Sequence, residues 1–164
     1  MKKIVPIVVL GLAVMLSSCL DTQSHYTPYV SVANLVNGAG DTLEFRYDGM
    51  SNLFNLDSLL VGDTLKGAVG FASLGNNLLS AHVDWDTAAL SVWSAYTEEM
   101  IQVMIAPSDT TNIDIYLPIG YNYVGLPLWI VPKRNGSTLL KFTVTSDSKF
   151  SPANEILQLN AIND

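Results

Sequence analysis

The stretch LLKFTVTSDSKFSPANEILQLNA, residues 139–161, decides the fold class of this 164-residue chain. Apolar and polar residues alternate in both of its halves. The apolar members are Leu140, Phe142 and Val144, followed by Leu157, Leu159 and Ala161. Because successive side chains of a β-strand point to opposite faces, this alternation predicts two strands, each with one face on a core and one in water.

The same period of two recurs outward from this stretch, over most of the chain after Tyr29. Glycine and asparagine clusters such as Gly75-Asn76-Asn77 and Asn135-Gly136 separate the alternating runs and supply tight turns. About seven to nine short strands divided in this way predict an all-β antiparallel sandwich or barrel. The further alternating sets are Leu43, Phe45, Tyr47; Leu65, Val69, Phe71; Leu79, Ala81, Val83, Trp85; Ile101, Val103, Ile105; and Ile113, Ile115, Leu117.

One segment, DTAALSVWSAYTEEM at residues 86–100, leaves two alternatives open. Ala89, Trp93 and Tyr96 recur near helical spacing, and Asp86 is a suitable helix cap. The other interpretation is a loop that leads into a short strand at residues 90–93.

Three stretches resemble the immunoglobulin-like sandwich domains of bacterial surface lipoproteins, a loose group mostly without assigned activity. They are VGDTLKGAVGF (61–71), LLSAHVDWD (78–86) and STLLKFTVTSDSKFSPANEILQL (137–159). The resemblance implies one immunoglobulin-like antiparallel β-sandwich over residues 29–164. Because one fold serves many functions, it implies no activity.

The N-terminus has the layout of a secretory signal helix. Two lysines precede a run of 13 mostly apolar residues, Ile4 to Leu16, which is shorter than the roughly 20 residues of a membrane-spanning helix. An ordinary secretory signal, cut and discarded, is the simplest interpretation.

The sequence Leu16-Ser17-Ser18-Cys19, at the end of this run, resembles the bacterial lipobox. The resemblance implies that residues 1–18 are removed and that Cys19 carries diacylglycerol and an N-acyl chain, with no other cofactor. Residues 19–28 then form a tether. Leu20 is not the aspartate that resembles an inner-membrane retention signal, so we expect a Gram-negative envelope lipoprotein of the outer membrane, with the leaflet open.

Charge and cysteine content exclude several kinds of site. Without Lys2 and Lys3, the chain keeps six basic against fifteen acidic residues, a net charge of −9, which should repel nucleic acid. Cys19 is the only cysteine, so its lipidation leaves no thiol for a disulfide, a nucleophile or a metal site.

The sequence HVDWD contains the most suggestive polar set. On a strand, His82, Asp84 and Asp86 share one face, and an imidazole with carboxylates is a plausible metal-ligand set. We favour the simpler interpretation, in which they are water-facing residues of a half-buried strand, and expect no metal site.

Aromatic residues in GYNYVGLPLW, residues 120–129, are the better functional candidates. Tyr121, Tyr123 and Trp129 lie among glycines and prolines, which predicts that part of the segment is loop or edge strand. Exposed aromatic rings stack on sugars or anchor protein partners. The alternative is that Trp129 and one tyrosine fill the core.

These features together favour a non-enzymatic, lipid-anchored envelope module that binds a glycan or a protein, or serves as an accessory subunit. One alternative is a small hydrolase that uses acidic residues with His82. Another is an adhesin or pilus-type subunit that needs a donated strand.

Overall fold

A computed structural model describes residues 26–48, 53–94 and 112–163, and this part of the chain is all-β, as predicted. The N-terminal signal and Cys19 lie outside it, as do the strand predicted at residues 101–105 and residues 95–100. Within the described ranges no helix is long and apolar enough to cross a membrane. The strands are β1 (Tyr29–Val32), β2 (Arg46–Asp48), β3 (Leu53–Leu60), β4 (Leu65–Ala72), β5 (Leu78–Trp85), β6 (Leu90–Ser94), β7 (Asn112–Tyr116), β8 (Tyr123–Pro132), β9 (Gly136–Ser146) and β10 (Ala153–Ile162).

The strands form two sheets that enclose one core, which confirms the β-sandwich. The four-stranded sheet has the order β1-β4-β8-β6, and the six-stranded sheet has the order β2-β3-β10-β9-β5-β7. All described strand pairs are antiparallel except β3 and β10, which are parallel. The sandwich is therefore mixed rather than purely antiparallel, and its described part has ten strands instead of seven to nine.

The alternating residues of the deciding stretch fill the core. Every one of the six apolar residues that predicted β9 and β10 is buried. Phe142 of β9 meets Phe71 of β4 across the sandwich, with ring centroids 6.4 Å apart. Full burial of each such side chain contributes about 1.5–3 kcal/mol, so the core is the main source of stability.

An irregular register changes which leucine of β5 faces the core. The register with β9 shifts between Leu78 and Ser80, so Leu78 is fully buried and Leu79 is 42% exposed. The prediction that Leu79 belongs to the core set was wrong, because one extra residue in a strand moves the side chains beyond it to the opposite face of the sheet.

The ambiguous segment begins as a loop and a strand. Residues 86–89 form a turn, and β6 follows, so the described part of this segment contains no helix. Trp85, which the alternation assigned to the core, is half-buried and packs against it.

Candidate functional site

Strand β8 places the candidate aromatic residues on the outer surface of the four-stranded sheet. Residues 120–122 lie in a loop, but β8 itself is an interior strand between β4 and β6, not an edge strand. Its inward side chains are buried, so Tyr123 and Trp129 point away from the core. The alternative in which Trp129 fills the core was therefore wrong.

The two tryptophans of this surface lie side by side. Trp93 of β6 is directly opposite Trp129 of β8 in the strand register. Their ring centroids are 5.6 Å apart with the planes at 68°, an edge-to-face arrangement that aromatic pairs favour. Trp93 is 38% exposed. Sequence reasoning left Trp93 unassigned because its partner is 36 residues away.

Two tyrosines lie toward the other end of the same surface. Tyr123 is 58% exposed, and its ring covers Gly70 and Gly125, which are directly opposite each other in β4 and β8. A Cβ atom on Gly70 would lie 3.1 Å from Tyr123 Cε2. Ala72 of β4 is the register partner of Tyr29 on β1 and of Tyr123 on β8, and the two tyrosines therefore flank this alanine.

We call this surface the aromatic face and define it by Tyr29, Tyr123, Trp93 and Trp129. Tyr123 and Trp129 are six positions apart on one strand, a span of about 20 Å. The floor between them consists of small or flat residues, and the only charged side chain on its described strands is Lys66, opposite Trp129. The floor residues are Ala68, Gly70, Gly125 and Pro127.

Tyr121, the third predicted residue, is separated from this face. It lies in the loop before β8, where its carbonyl accepts a hydrogen bond from the Leu78 amide at 2.7 Å. Its side chain is 45% exposed at the end of the sandwich. The structure thus brings together Tyr123 and Trp129 and adds Trp93 and Tyr29.

The predicted polar set is only partly assembled. His82 Nε2 lies 2.8 Å from Asp84 Oδ1, and His82 Nδ1 contacts the carboxylate of Asp114, its register partner on β7. Asp86 does not join them because β5 ends at Trp85. Its carboxylate instead accepts hydrogen bonds from the Ala88 amide and from Arg134, each at 2.9 Å.

This geometry argues against the two chemical uses considered for His82. The structure does not bring His82, Asp84 and Asp86 together, as the less favoured metal-ligand interpretation required, and the described residues contain no group of three or more His, Cys, Asp or Glu arranged for a metal ion. Both imidazole nitrogens face carboxylates, so a role as general base requires breaking one of these contacts. Asp114 was missed because it lies 32 residues away in the sequence.

Comparisons with known proteins find structural likeness alone. No protein-family model matches the sequence, and no curated protein matches it significantly. A DUF4466 family protein from Parabacteroides merdae is 19% identical with a TM-score of 0.43 over 77% of this chain, which spans 44% of that protein's chain.

Two further solved structures have similar scores. The reeler domain of human F-spondin is 12% identical with a TM-score of 0.46, covering 79% of this chain and 93% of its own. BslA, described as a bacterial hydrophobin, is 7% identical with a TM-score of 0.45, covering 82% and 98%. At these values the likenesses agree with a β-rich domain and carry no argument about function.

Proposed function

We propose that this chain is a lipid-anchored, non-catalytic binding module of the Gram-negative cell envelope that takes an extended glycan on its aromatic face. The observation that carries the proposal is the exposure of Tyr123 on the interior strand β8, together with the Trp93–Trp129 pair that joins β8 to its neighbour β6. The anchor is supported by the lipobox-like sequence that ends at Cys19, and the outer membrane by Leu20 after it.

The chemistry of the aromatic face suits a sugar chain. The apolar faces of sugar rings stack on aromatic rings, and tyrosine and serine hydroxyls can hydrogen-bond the sugar hydroxyls. The span of about 20 Å between Tyr123 and Trp129 fits several sugar units in a row rather than one. Because Lys66 is the only charged residue on the described strands of the aromatic face, this face favours a neutral polymer.

The rigidity of the face also favours binding. Strand β8 is hydrogen-bonded on both sides, to β4 and to β6, so its backbone is ordered before any ligand arrives. The glycine pair beneath Tyr123 and the edge-to-face contact of the tryptophans hold the rings in place. Little conformational entropy is then lost on binding.

The alternatives gain less support from the described residues. The hydrolase alternative depends on His82, whose two ring nitrogens already face carboxylates. The pilus-type alternative requires a missing strand, and no feature of the described strands favours it. A protein ligand is the main competitor, because exposed tyrosine and tryptophan also anchor protein partners.

The test compares Tyr123→Ala with Tyr116→Ala in the lipidated protein held in detergent micelles. Tyr116 is a matched control, since it is 60% exposed and lies on the outer surface of the other sheet. We expect the wild type and Tyr116→Ala to be retained by an immobilised neutral polysaccharide that has been identified on a glycan array. Tyr123→Ala loses one stacking contact, which should weaken polysaccharide binding about tenfold, equivalent to 1.4 kcal/mol.

Two results would contradict glycan binding at this face. One is a blank array with well-folded wild-type protein, combined with capture of an envelope protein that depends on Tyr123. The other is an equal loss of polysaccharide retention in both variants, which would place the ligand elsewhere. Retention that falls in Tyr123→Ala alone supports the proposal.

A further inference from the structure

Four segments of the described chain meet at one end of the sandwich, which we call the Tyr26 end. They are the residues before β1 (26–28), the β4–β5 connection (73–77), the β7–β8 connection (117–122) and the β9–β10 connection (147–152). The connections 61–64, 86–89 and 133–135 lie at the opposite end. These four described segments therefore border the point where the chain enters its first strand.

Hydrogen bonds join these segments into one surface. The Asn77 amide donates to Asp147 Oδ1 at 2.9 Å, and Asn77 Nδ2 donates to Asp147 Oδ2 at 2.7 Å. Asn77 Oδ1 accepts from the Gly120 amide at 3.0 Å. Ser148 Oγ donates to the carbonyl of Tyr26 at 2.8 Å, which fixes the incoming chain here.

The two ends of the sandwich differ in polarity. The four described segments at the Tyr26 end contain two charged residues, Asp147, which is bonded to Asn77, and Lys149, whereas the three connections at the opposite end contain Asp63, Asp86, Lys133 and Arg134. The large apolar side chains exposed at the Tyr26 end are Tyr26, Leu74, Ile119, Tyr121 and Phe150, and Ile119 is 87% exposed. A cluster of exposed apolar side chains marks a contact surface.

We propose that the Tyr26 end docks on the lipid bilayer that carries the Cys19 anchor. This inference rests on the lipid anchor of the proposed function. Cys19 and Tyr26 are seven residues apart, which allows a reach of at most about 25 Å. Strand β8 has ten residues and runs from one end of the sandwich to the other, so the two ends are about 30 Å apart. The tether is thus too short for the charged end to face the bilayer, and it leads directly from the apolar end.

The side chains at this end match the membrane interface. Tyr26 and Tyr121 are amphipathic rings of the kind that gather at the headgroup level, while Ile119 and Phe150 offer apolar surface to the acyl boundary. Lys149 can approach lipid phosphates. Docking in this way makes the strands stand upright on the bilayer, so the aromatic face opens sideways and its tryptophan pair lies farther from the lipid than Tyr123.

The test uses Ile119→Cys in the full-length lipidated protein. Because lipid consumes the native thiol, the introduced cysteine is the only site for a nitroxide label. Ala88→Cys is the control, since Ala88 is exposed in the turn at the opposite end. In phosphatidylcholine vesicles we expect the label at position 119 to be several-fold less accessible to a water-soluble nickel chelate than the label at 88. Adding Phe150→Asp should restore its accessibility.

Vesicle flotation and mass spectrometry of the same samples separate docking from anchoring. Protein that floats with lipid on Cys19, but whose two labels are equally accessible, overturns docking and leaves the anchor intact. Protein that carries no lipid and does not float overturns both. Protein that floats without lipid on Cys19 contradicts the anchor; the labels are then read in a Cys19→Ala background, where protection of position 119 supports docking and equal accessibility of the two labels overturns it.

Discussion

At the residue scale, the exposed aromatic ring of Tyr123 depends on the two smallest residues beneath it. Gly70 and Gly125 are far apart in the sequence but directly opposite in the β4–β8 register. A Cβ atom on Gly125 would lie 3.2 Å from the hydroxyl of Tyr123, and one on Gly70 would lie 2.6 Å from Ser31 Oγ. Larger residues at either position would lift the ring from the sheet.

Glu155 supplies a prediction about pH at the same scale. It lies two residues before the buried Leu157 on β10 and pairs with Phe142, so its side chain is on the core side of the strand. Burial raises its pKa, and a hydrogen bond from the Ile156 amide partly offsets the rise. The native state therefore binds this proton more tightly than the unfolded state. The contribution of Glu155 to the free energy of unfolding is fully present below the pKa that its carboxyl has in the unfolded state, and it is lost as the pH rises through the pKa in the folded state.

We therefore expect Glu155→Gln to be more stable than the wild type at neutral pH and to differ little from it at acidic pH. The comparison is the urea midpoint of both proteins between about pH 4 and pH 7. An identical pH dependence in the two proteins would show that Glu155 does not contribute.

At the element scale, the segment before β2 closes the sandwich over β4. Val36 and Lys66 exchange two backbone hydrogen bonds of 2.8 Å, which hold this segment against the strand. Leu35 is 2% exposed, and a Cβ atom on Gly67 would lie 2.3 Å from its Cδ2. The missing side chain of Gly67 is therefore what makes room for Leu35 in the core.

Gly67→Ala should destabilise the domain by about 1–3 kcal/mol, because the buried leucine has little space to move. Leu35→Ala alone should cost about 2–5 kcal/mol. In the double variant the clash is absent, so the combined loss should be smaller than the sum of the two single losses. Urea unfolding measures the loss of stability in all three variants. Strict additivity of the two single losses in the double variant would show that the two sites do not interact.

At the scale of the whole molecule, the described residues form four different surfaces. One end is apolar and borders the tether, the opposite end is charged, and the outer side of the four-stranded sheet is aromatic. The outer side of the six-stranded sheet is polar in the region of His82 and Asp114. If both proposals hold, this division would let one small domain face a membrane and present a binding surface at the same time.

Cys19→Ala is the test of the anchor at this scale. We expect the protein to leave the membrane fraction, since the proposed lipid chains would be the main source of its membrane affinity. The circular dichroism spectrum and unfolding midpoint should stay those of the wild type, because residue 19 precedes the β-domain. A variant that remains with membranes as fully as the wild type would contradict lipidation.

The sequence by itself determined the fold class and the strands in which apolar and polar residues alternate strictly, such as β9 and β10. It also singled out Tyr123 and Trp129, because aromatic residues among glycines and prolines stand out without any structure. It missed β3, where Leu56 and Leu59 are both buried although three residues apart, since Ser58 has a positive φ of 61° and the register shifts nearby.

Only the tertiary structure decided which strands are neighbours. Residues distant in sequence are joined by the parallel pairing of β3 with β10, by the pairings of His82 with Asp114 and of Trp93 with Trp129, and by the meeting of four segments at the Tyr26 end. Alternation reports the side of a strand on which each residue lies, because it arises from the local pleat. It does not encode the partner strand or its register, which depend on how all strands together bury their apolar sides and pair their backbone groups.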